Sequence, residues 1–248
     1  MATDISVVII CKNAGVTIAK TIAAAISLSD DVVVMDTGSR DDTIAIAKRF
    51  PIRLYESTWL GYGATKNKAV MLAKHQWILS LDADEWMDDQ TIEHIKTLSL
   101  SDSNKVYAFK RLNYIGNKPL HYGVWGKDKV QRVYHKEHVK WDDALVHERL
   151  TGNHMRICLA KGRIHHFTAT DLASFRRKQV HYAKLMARRY AAQGKKASFI
   201  KRYLSPLVTF IVNYFIRLGF LDGYYGYLSA RMQAQYTFLK YRFLKRSY

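Results

Sequence analysis

Trp77-Ile78-Leu79-Ser80-Leu81-Asp82-Ala83-Asp84-Glu85-Trp86 is the stretch whose reading decides the fold. Its opening residues are apolar apart from Ser80, as in a short strand covered on both faces. Three carboxylates then arrive within four positions, at Asp82, Asp84 and Glu85. A strand does not bury that much unpaired negative charge, because desolvating each carboxylate costs several kcal/mol. The strand is therefore expected to end here, with its acids at the rim of a sheet. Open α/β sheets bind ligands outside the carboxyl ends of their strands. An Asp-x-Asp step at that place suits a hard divalent cation, since Mg²⁺ takes one or two carboxylates plus phosphate oxygens. The same residues also fit an acidic turn ahead of a helix, whose first turn favours Asp and Glu.

Upstream, Ile5 to Ile10 and Val32 to Met35 are continuous apolar runs, and Ile52 to Tyr55 is a shorter one. Between them, Ala14 to Leu28 has helical spacing, with Ile18, Ile22 and Ile26 on one face. Ile44 to Phe50 follows the cap candidates Asp41, Asp42 and Thr43, and Pro51 stops it. Gly61 to Lys74 reads as a third helix. Alternation of strand and helix at this spacing argues a mostly parallel sheet covered on both faces. The second strand also ends in a carboxylate, Asp36, placed to accept hydrogen bonds from a ribose or a base. Neither G-x-G-x-x-G nor a Walker A pattern is present, which argues against dinucleotide and P-loop ATP sites.

Downstream, Thr91 to Leu98 reads as a helix, and Val106 to Leu112 and Val130 to Tyr134 as strands. Asn113 to Leu150 is rich in Tyr, Trp, His and Gly, with scattered carboxylates, a composition suited to holding a sugar. Trp125 fits either a stacking platform for that sugar or a core position. Charge is unevenly placed in this 248-residue chain of net charge +18. Residues 1–150 are nearly neutral, whereas residues 151–248 carry Asp171 and Asp222 as their only acids. Ala173 to Gln193 is a basic helix, and Leu204 to Leu221 is apolar but broken by Pro206, Asn213 and Arg217. Basic residues among Tyr and Phe fit a segment lying in an anionic membrane surface, or a solvated helical pair packed on the sheet. Nothing matches a nucleic-acid-reading motif. Cys11 and Cys158 form no disulfide framework or zinc pattern, which suits a reducing compartment, and no signal peptide is expected.

Four stretches taken in order resemble glycosyltransferases of family 2. They are Ser6 to Asn13, Val34 to Thr43, Gly63 to Asn67, and Leu81 to Trp86. Val146-His147-Glu148, His165-His166-Phe167 and Gly219 to Gly223 are similar to the branch that glucosylates the inner-core heptose of bacterial lipopolysaccharide. The resemblance implies an α/β fold of GT-A type: a nucleotide-sugar-binding sheet with flanking helices and a basic, aromatic-rich helical C-terminal extension. It implies a catalytic domain over residues 1–170, split into a nucleotide-sugar half (1–100) and an acceptor half (101–170), with the extension over 171–248. It also implies a UDP-sugar donor held by Cys11, Asn13, Asp36, Lys66, Asn67 and Asp82, and Mg²⁺ or Mn²⁺ on Asp84 and Asp82. The acceptor would be a lipid-linked core oligosaccharide, met at the cytoplasmic face of the inner membrane. No nucleic-acid partner is expected.

Such enzymes invert the anomeric centre in one displacement, so the acceptor hydroxyl needs a general base. The Glu-Asp pair and the Gln-x-x-Arg-Trp motif common in the family are absent. Glu148 is the leading candidate for the base, with Asp142 and Asp143 behind it. His165 is a candidate to stand near the metal. Two other readings stay open: a nucleotidyltransferase that makes nucleotide sugars, and a non-catalytic basic module binding membrane or RNA.

Overall fold

A computed structural model describes residues 3–142, 148–169 and 172–245. In chain order the elements are β1 (Ile5–Cys11), α1 (Ile18–Leu28), β2 (Val32–Asp36), α2 (Thr43–Ala47), β3 (Arg53–Glu56) and α3 (Tyr62–Val70). Then come β4 (Trp77–Asp82), β5 (Glu85–Met87), α4 (Asp89–Lys96), β6 (Lys105–Ile115), β7 (Lys118–Leu120) and β8 (Lys129–His135). The chain closes with β9 (Lys140–Trp141), β10 (Leu150–Thr151), β11 (Arg156–Ala169), α5 (Leu172–Ala192), α6 (Phe199–Ile211) and α7 (Gly223–Lys245).

The chain divides into two compact units, one of residues 1–111 and 129–166, the other of residues 112–128 and 167–248. The stretch Leu112–Asp128, placed by the sequence in the acceptor half, groups with the C-terminal helices. The main sheet runs β3-β2-β1-β4-β8-β6-β11-β5, with β7 added to β6. The first four strands pair in parallel and the next pairings are antiparallel. Register places Ile10 beside Asp82 and Cys11 beside Asp36, so both predicted acids stand at the same carboxyl edge.

Alternate residues of β1 feed two cores. Val7 and Ile9 pack with Ile18 and Ile22 of α1 on one face, and Val8 and Ile10 pack with Ala69 and Val70 of α3 on the other. In the second unit Phe175, Met232, Ile115 and Leu120 form a separate small core, with Trp125 packed against it. Trp125 meets the Phe175 ring edge-on at 5.4 Å, a core contact.

Two helices are shorter than their apolar spacing indicates. α1 begins at Ile18, because Ala14 to Thr17 is a turn whose Ala14 N–H donates to Thr43 Oγ1 at 2.7 Å. α3 ends at Val70, and the Lys74 N–H is instead taken by Asp31 Oδ2 at 2.8 Å.

Candidate active site

The site is built at the carboxyl ends of β1, β2 and β4. Asp36 is fully buried. Its Oδ1 accepts the backbone N–H groups of Gly38 and Ser39, each at 2.8 Å, and its Oδ2 accepts the Ser39 hydroxyl. Gly38 has φ of 89°, a conformation that glycine adopts at little cost. Asp36 therefore shapes the loop after β2. Asn13 belongs to the same construction: its N–H donates to Ser39 Oγ and its Oδ1 accepts the Arg40 N–H, both at 2.8 Å. Cys11 lies beneath this loop with Sγ 3.4 Å from Asp36. Burial and then the Asp36 charge push its thiol far up, so it stays protonated.

Lys66 and Asn67 come from α3. Asn67 acts as a staple, donating to the Trp141 carbonyl at 2.9 Å and accepting the Trp141 N–H at 3.0 Å. Both ends of its amide are occupied by backbone, a structural role beside the donor-binding one that the resemblance implies. A Cβ on Gly63 would meet the Asp142 carbonyl oxygen at 1.8 Å, so only glycine lets this segment approach the helix so closely. Lys66 is 1% exposed, with its ammonium 2.9 Å from Asp82 Oδ1, 2.8 Å from Glu148 Oε1 and 4.3 Å from the Trp141 ring centre. It ties the candidate base to the carboxylate that ends β4.

The turn Asp82–Glu85 is fixed from the start of α1, where the hydroxyls of Thr17, just before the helix, and Thr21, within it, donate to the Ala83 carbonyl at 2.8 and 3.0 Å. Glu85 does not sit at the rim with the other acids, as the sequence led us to expect. It is fully buried as the first residue of β5. Arg132 of β8 resolves the charge, donating Nε to Glu85 Oε2 at 2.7 Å and Nη2 to Oε1 at 2.6 Å. The same Nη2 reaches Asp82 Oδ2 at 2.8 Å, and Arg111 stands 3.4 Å from Glu85. Charges thus alternate along a chain of contacts in the order Glu148, Lys66, Asp82, Arg132, Glu85, Arg111. Burial works to raise the Asp82 carboxyl, but Lys66 and Arg132 outweigh it and hold the group well below the usual carboxylate range. Burial likewise opposes the charge of Arg132, and Glu85 and Asp82 more than restore it.

Asp84 points elsewhere. Its side chain is 31% exposed, and His166 Nε2 of β11 lies 3.5 Å from its Oδ2. Register pairs His165 with Trp86 and His166 with Glu85, and successive strand residues face opposite ways. His165 accordingly stacks on Trp86 at 5.2 Å and meets Asp88 at 3.1 Å. The histidine beside the Asp-x-Asp turn is therefore His166, not His165. Among the described residues no three His, Cys, Asp or Glu side chains form a ready-made metal cage. The Asp84 carboxylate nevertheless suits Mn²⁺ or Mg²⁺, which takes remaining ligands from water and phosphate, and of these Mn²⁺ better tolerates the neighbouring imidazole. Asp84 fits that role better than Asp82, whose two oxygens already face two cations.

Asp142 accepts the Arg149 N–H at 2.9 Å and donates its own N–H to the Arg149 carbonyl, closing the loop between them. This loop-closing role argues against Asp142 as the base. Asp143 lies outside the described residues, as does His147. Arg132 and Arg111 join the site beyond the residues singled out from the sequence, and His166 takes the place given there to His165. A single Arg inside the strand-like run Val130 to Tyr134 was the available signal, because a buried guanidinium requires partners.

The family model described as glycosyl transferase family 2 matches residues 6–178. An uncharacterized glycosyltransferase of Rickettsia prowazekii (strain Madrid E) is 29% identical over 249 residues, covering 95% of this chain and 85% of the relative. Among solved structures, S. aureus TarS 1–349 aligns over 100% of this chain and 91% of its own, with 15% identity and a TM-score of 0.44. Glucosyl-3-phosphoglycerate synthase from Mycobacterium tuberculosis, solved with Mn²⁺ and UDP-glucose, aligns over 46% of this chain at 21% identity and a TM-score of 0.38. This chain spans less than half of that enzyme, 44% of it.

Proposed function

Since the chain belongs to glycosyl transferase family 2 and has its GT-A-like mixed α/β sheet followed by C-terminal helices, we propose that it moves a hexose, glucose first among the candidates, from a UDP-sugar to an inner-core oligosaccharide of lipopolysaccharide. The observation that carries this reading is the placement of Asp84 with His166 beside an Asp82 held ionised by Lys66 and Arg132. Asp84 and His166 would hold a divalent cation, which supplies Lewis-acid neutralisation of the departing diphosphate.

The chain's own groups do the rest. Lys66 and Arg132 fix the Asp82 carboxylate at the strand end, where it stands ready for the donor's ribose. Glu148 takes the proton of the acceptor hydroxyl as that oxygen attacks the anomeric carbon and the bond to the UDP oxygen breaks. The electron pair leaves with UDP, and configuration inverts. Lys66, at 2.8 Å, keeps the Glu148 carboxylate oriented toward the carboxyl edge. The acceptor class rests on the resemblance of Val146 to Glu148, His165 to Phe167 and Gly219 to Gly223 to the heptose-glucosylating branch.

The test is UDP release from UDP-glucose with Mn²⁺ and a deacylated inner-core oligosaccharide. Release that requires both acceptor and metal supports the reading. Release of equal size without acceptor, or transfer that proceeds fully in EDTA, refutes it.

A further inference from the structure

The C-terminal unit has a polarity that sugar transfer does not use. α6 presents Arg202, Ser205 and Thr209 on its less exposed side, toward α7. Thr209 Oγ1 lies 3.4 Å from Thr237 Oγ1 of α7, and the Arg202 guanidinium carbon lies 5.8 Å from the Phe238 ring. Asn213, in the π turn Val212–Ile216 that extends α6, is buried and donates to the Thr209 carbonyl at 2.8 Å. The opposite face carries Phe199, Ile200, Leu204, Leu207, Val208 and Ile211, all exposed, with Phe199 at 79%. The same face continues into Phe215 and Ile216 of the π turn. No residue of α6 is buried.

A helix on a water-soluble protein turns its apolar stripe inward and its polar stripe outward. α6 turns most of its apolar stripe outward, and of its rings Tyr203 and Phe210 meet Phe238 and Tyr227 of α7. Hydrocarbon reverses the preference, because lipid receives large apolar side chains while Ser, Thr and Asn serve contacts between helices. Charge agrees with this. Lys195, Lys196 and Lys201 stand at the start of α6, and each such residue near an anionic surface strengthens binding about fivefold. Asp222, the only acid between residues 172 and 245, accepts the N–H groups of His121 and Tyr122 at 2.9 to 3.1 Å.

The length of the element decides its pose. Among the described residues no single helix is long and apolar enough to cross a membrane. The 13 residues of α6 reach about 20 Å, short of the roughly 30 Å of hydrocarbon. After the π turn the chain bends by 73° into Gly219–Lys245. We propose that the outward face of α6 and the turn after it seats in one leaflet of an anionic membrane, as an in-plane anchor with Lys195, Lys196 and Lys201 among the headgroups.

Flotation of the full chain with vesicles of phosphatidylglycerol and phosphatidylethanolamine tests this. The wild-type protein should float with them, and salt should weaken binding without abolishing it. Leu204→Gln and Leu207→Gln should each reduce partitioning about tenfold. In a separate variant, Leu207→Trp, the new indole should be quenched by brominated acyl chains. A wild-type protein that stays in the aqueous phase overturns the proposal, including one that sediments as a dimer split by Leu204→Gln, which would make the face a contact between copies. Binding untouched by either glutamine variant, or an unquenched Trp at 207, overturns it as well.

Discussion

Arg132 and Glu85 form a two-point ion pair in the interior of the sheet, with Nε to Oε2 at 2.7 Å and Nη2 to Oε1 at 2.6 Å. The strands that carry them, β8 and β5, are not neighbours in the sheet order. The pair therefore bridges across the sheet, and its Nη2 is shared with Asp82. Removing one member leaves the other's charge buried without compensation. Arg132→Met should cost about 3–5 kcal/mol in urea unfolding, and the double variant Arg132→Met/Glu85→Leu should recover most of that loss. A double variant less stable than Arg132→Met would contradict the pairing.

Acid should unfold the protein partly through Asp82. Its folded carboxyl lies below the unfolded value of about 3.9, despite burial, because of Lys66 and Arg132. The stability it contributes is complete above about pH 5 and is lost as pH falls toward the folded value. Asp31 adds a slope of the same sign: burial opposes its charge, but Ser6, the Lys74 N–H and Arg53 lower its carboxyl. The denaturation midpoint should drop between about pH 5 and pH 3. Asp82→Asn should flatten that drop, and an unchanged slope would contradict the assignment.

Glu148→Gln keeps the shape of the side chain and removes its basicity. UDP binding should survive, and turnover should fall about 10²–10⁴-fold. Near-normal turnover would move the base elsewhere and leave Glu148 as a partner that merely neutralises Lys66.

Gly63→Ala places a methyl 1.8 Å from the Asp142 carbonyl oxygen, and backbone has to yield. The expected cost is about 1–3 kcal/mol, measured by chemical denaturation. Because the same displacement loosens the Asn67 staple, kcat should fall along with stability. Wild-type stability would show that this contact relaxes freely.

The first strands were legible because each is an unbroken apolar run between turn residues. Ile5 to Ile10 and Val32 to Met35 are buried throughout, as a parallel sheet covered on both faces requires. β11 was not legible, since Arg156, Lys161 and Arg163 interrupt its pattern and one face is exposed. β5 was hidden for a related reason. Its first residue is the buried acid Glu85, whose partner Arg132 lies 47 residues away, beyond any local pattern. Local reading found Asp82 and Asp84 as chemistry, but not which of them faces cations already in place. It also chose His165 over His166, because only strand register shows which of two adjacent histidines turns toward Asp84.

The central claim is a metal-dependent donor site on Asp84. The most direct measurement is calorimetric titration of UDP into the wild-type protein with Mn²⁺ and again in EDTA, repeated on Asp84→Asn. The site as described predicts binding heat with Mn²⁺ that disappears in EDTA and in Asp84→Asn. Equal UDP affinity in all three conditions would contradict it, and would mean that the pairing of Asp84 with His166 has a purely structural purpose.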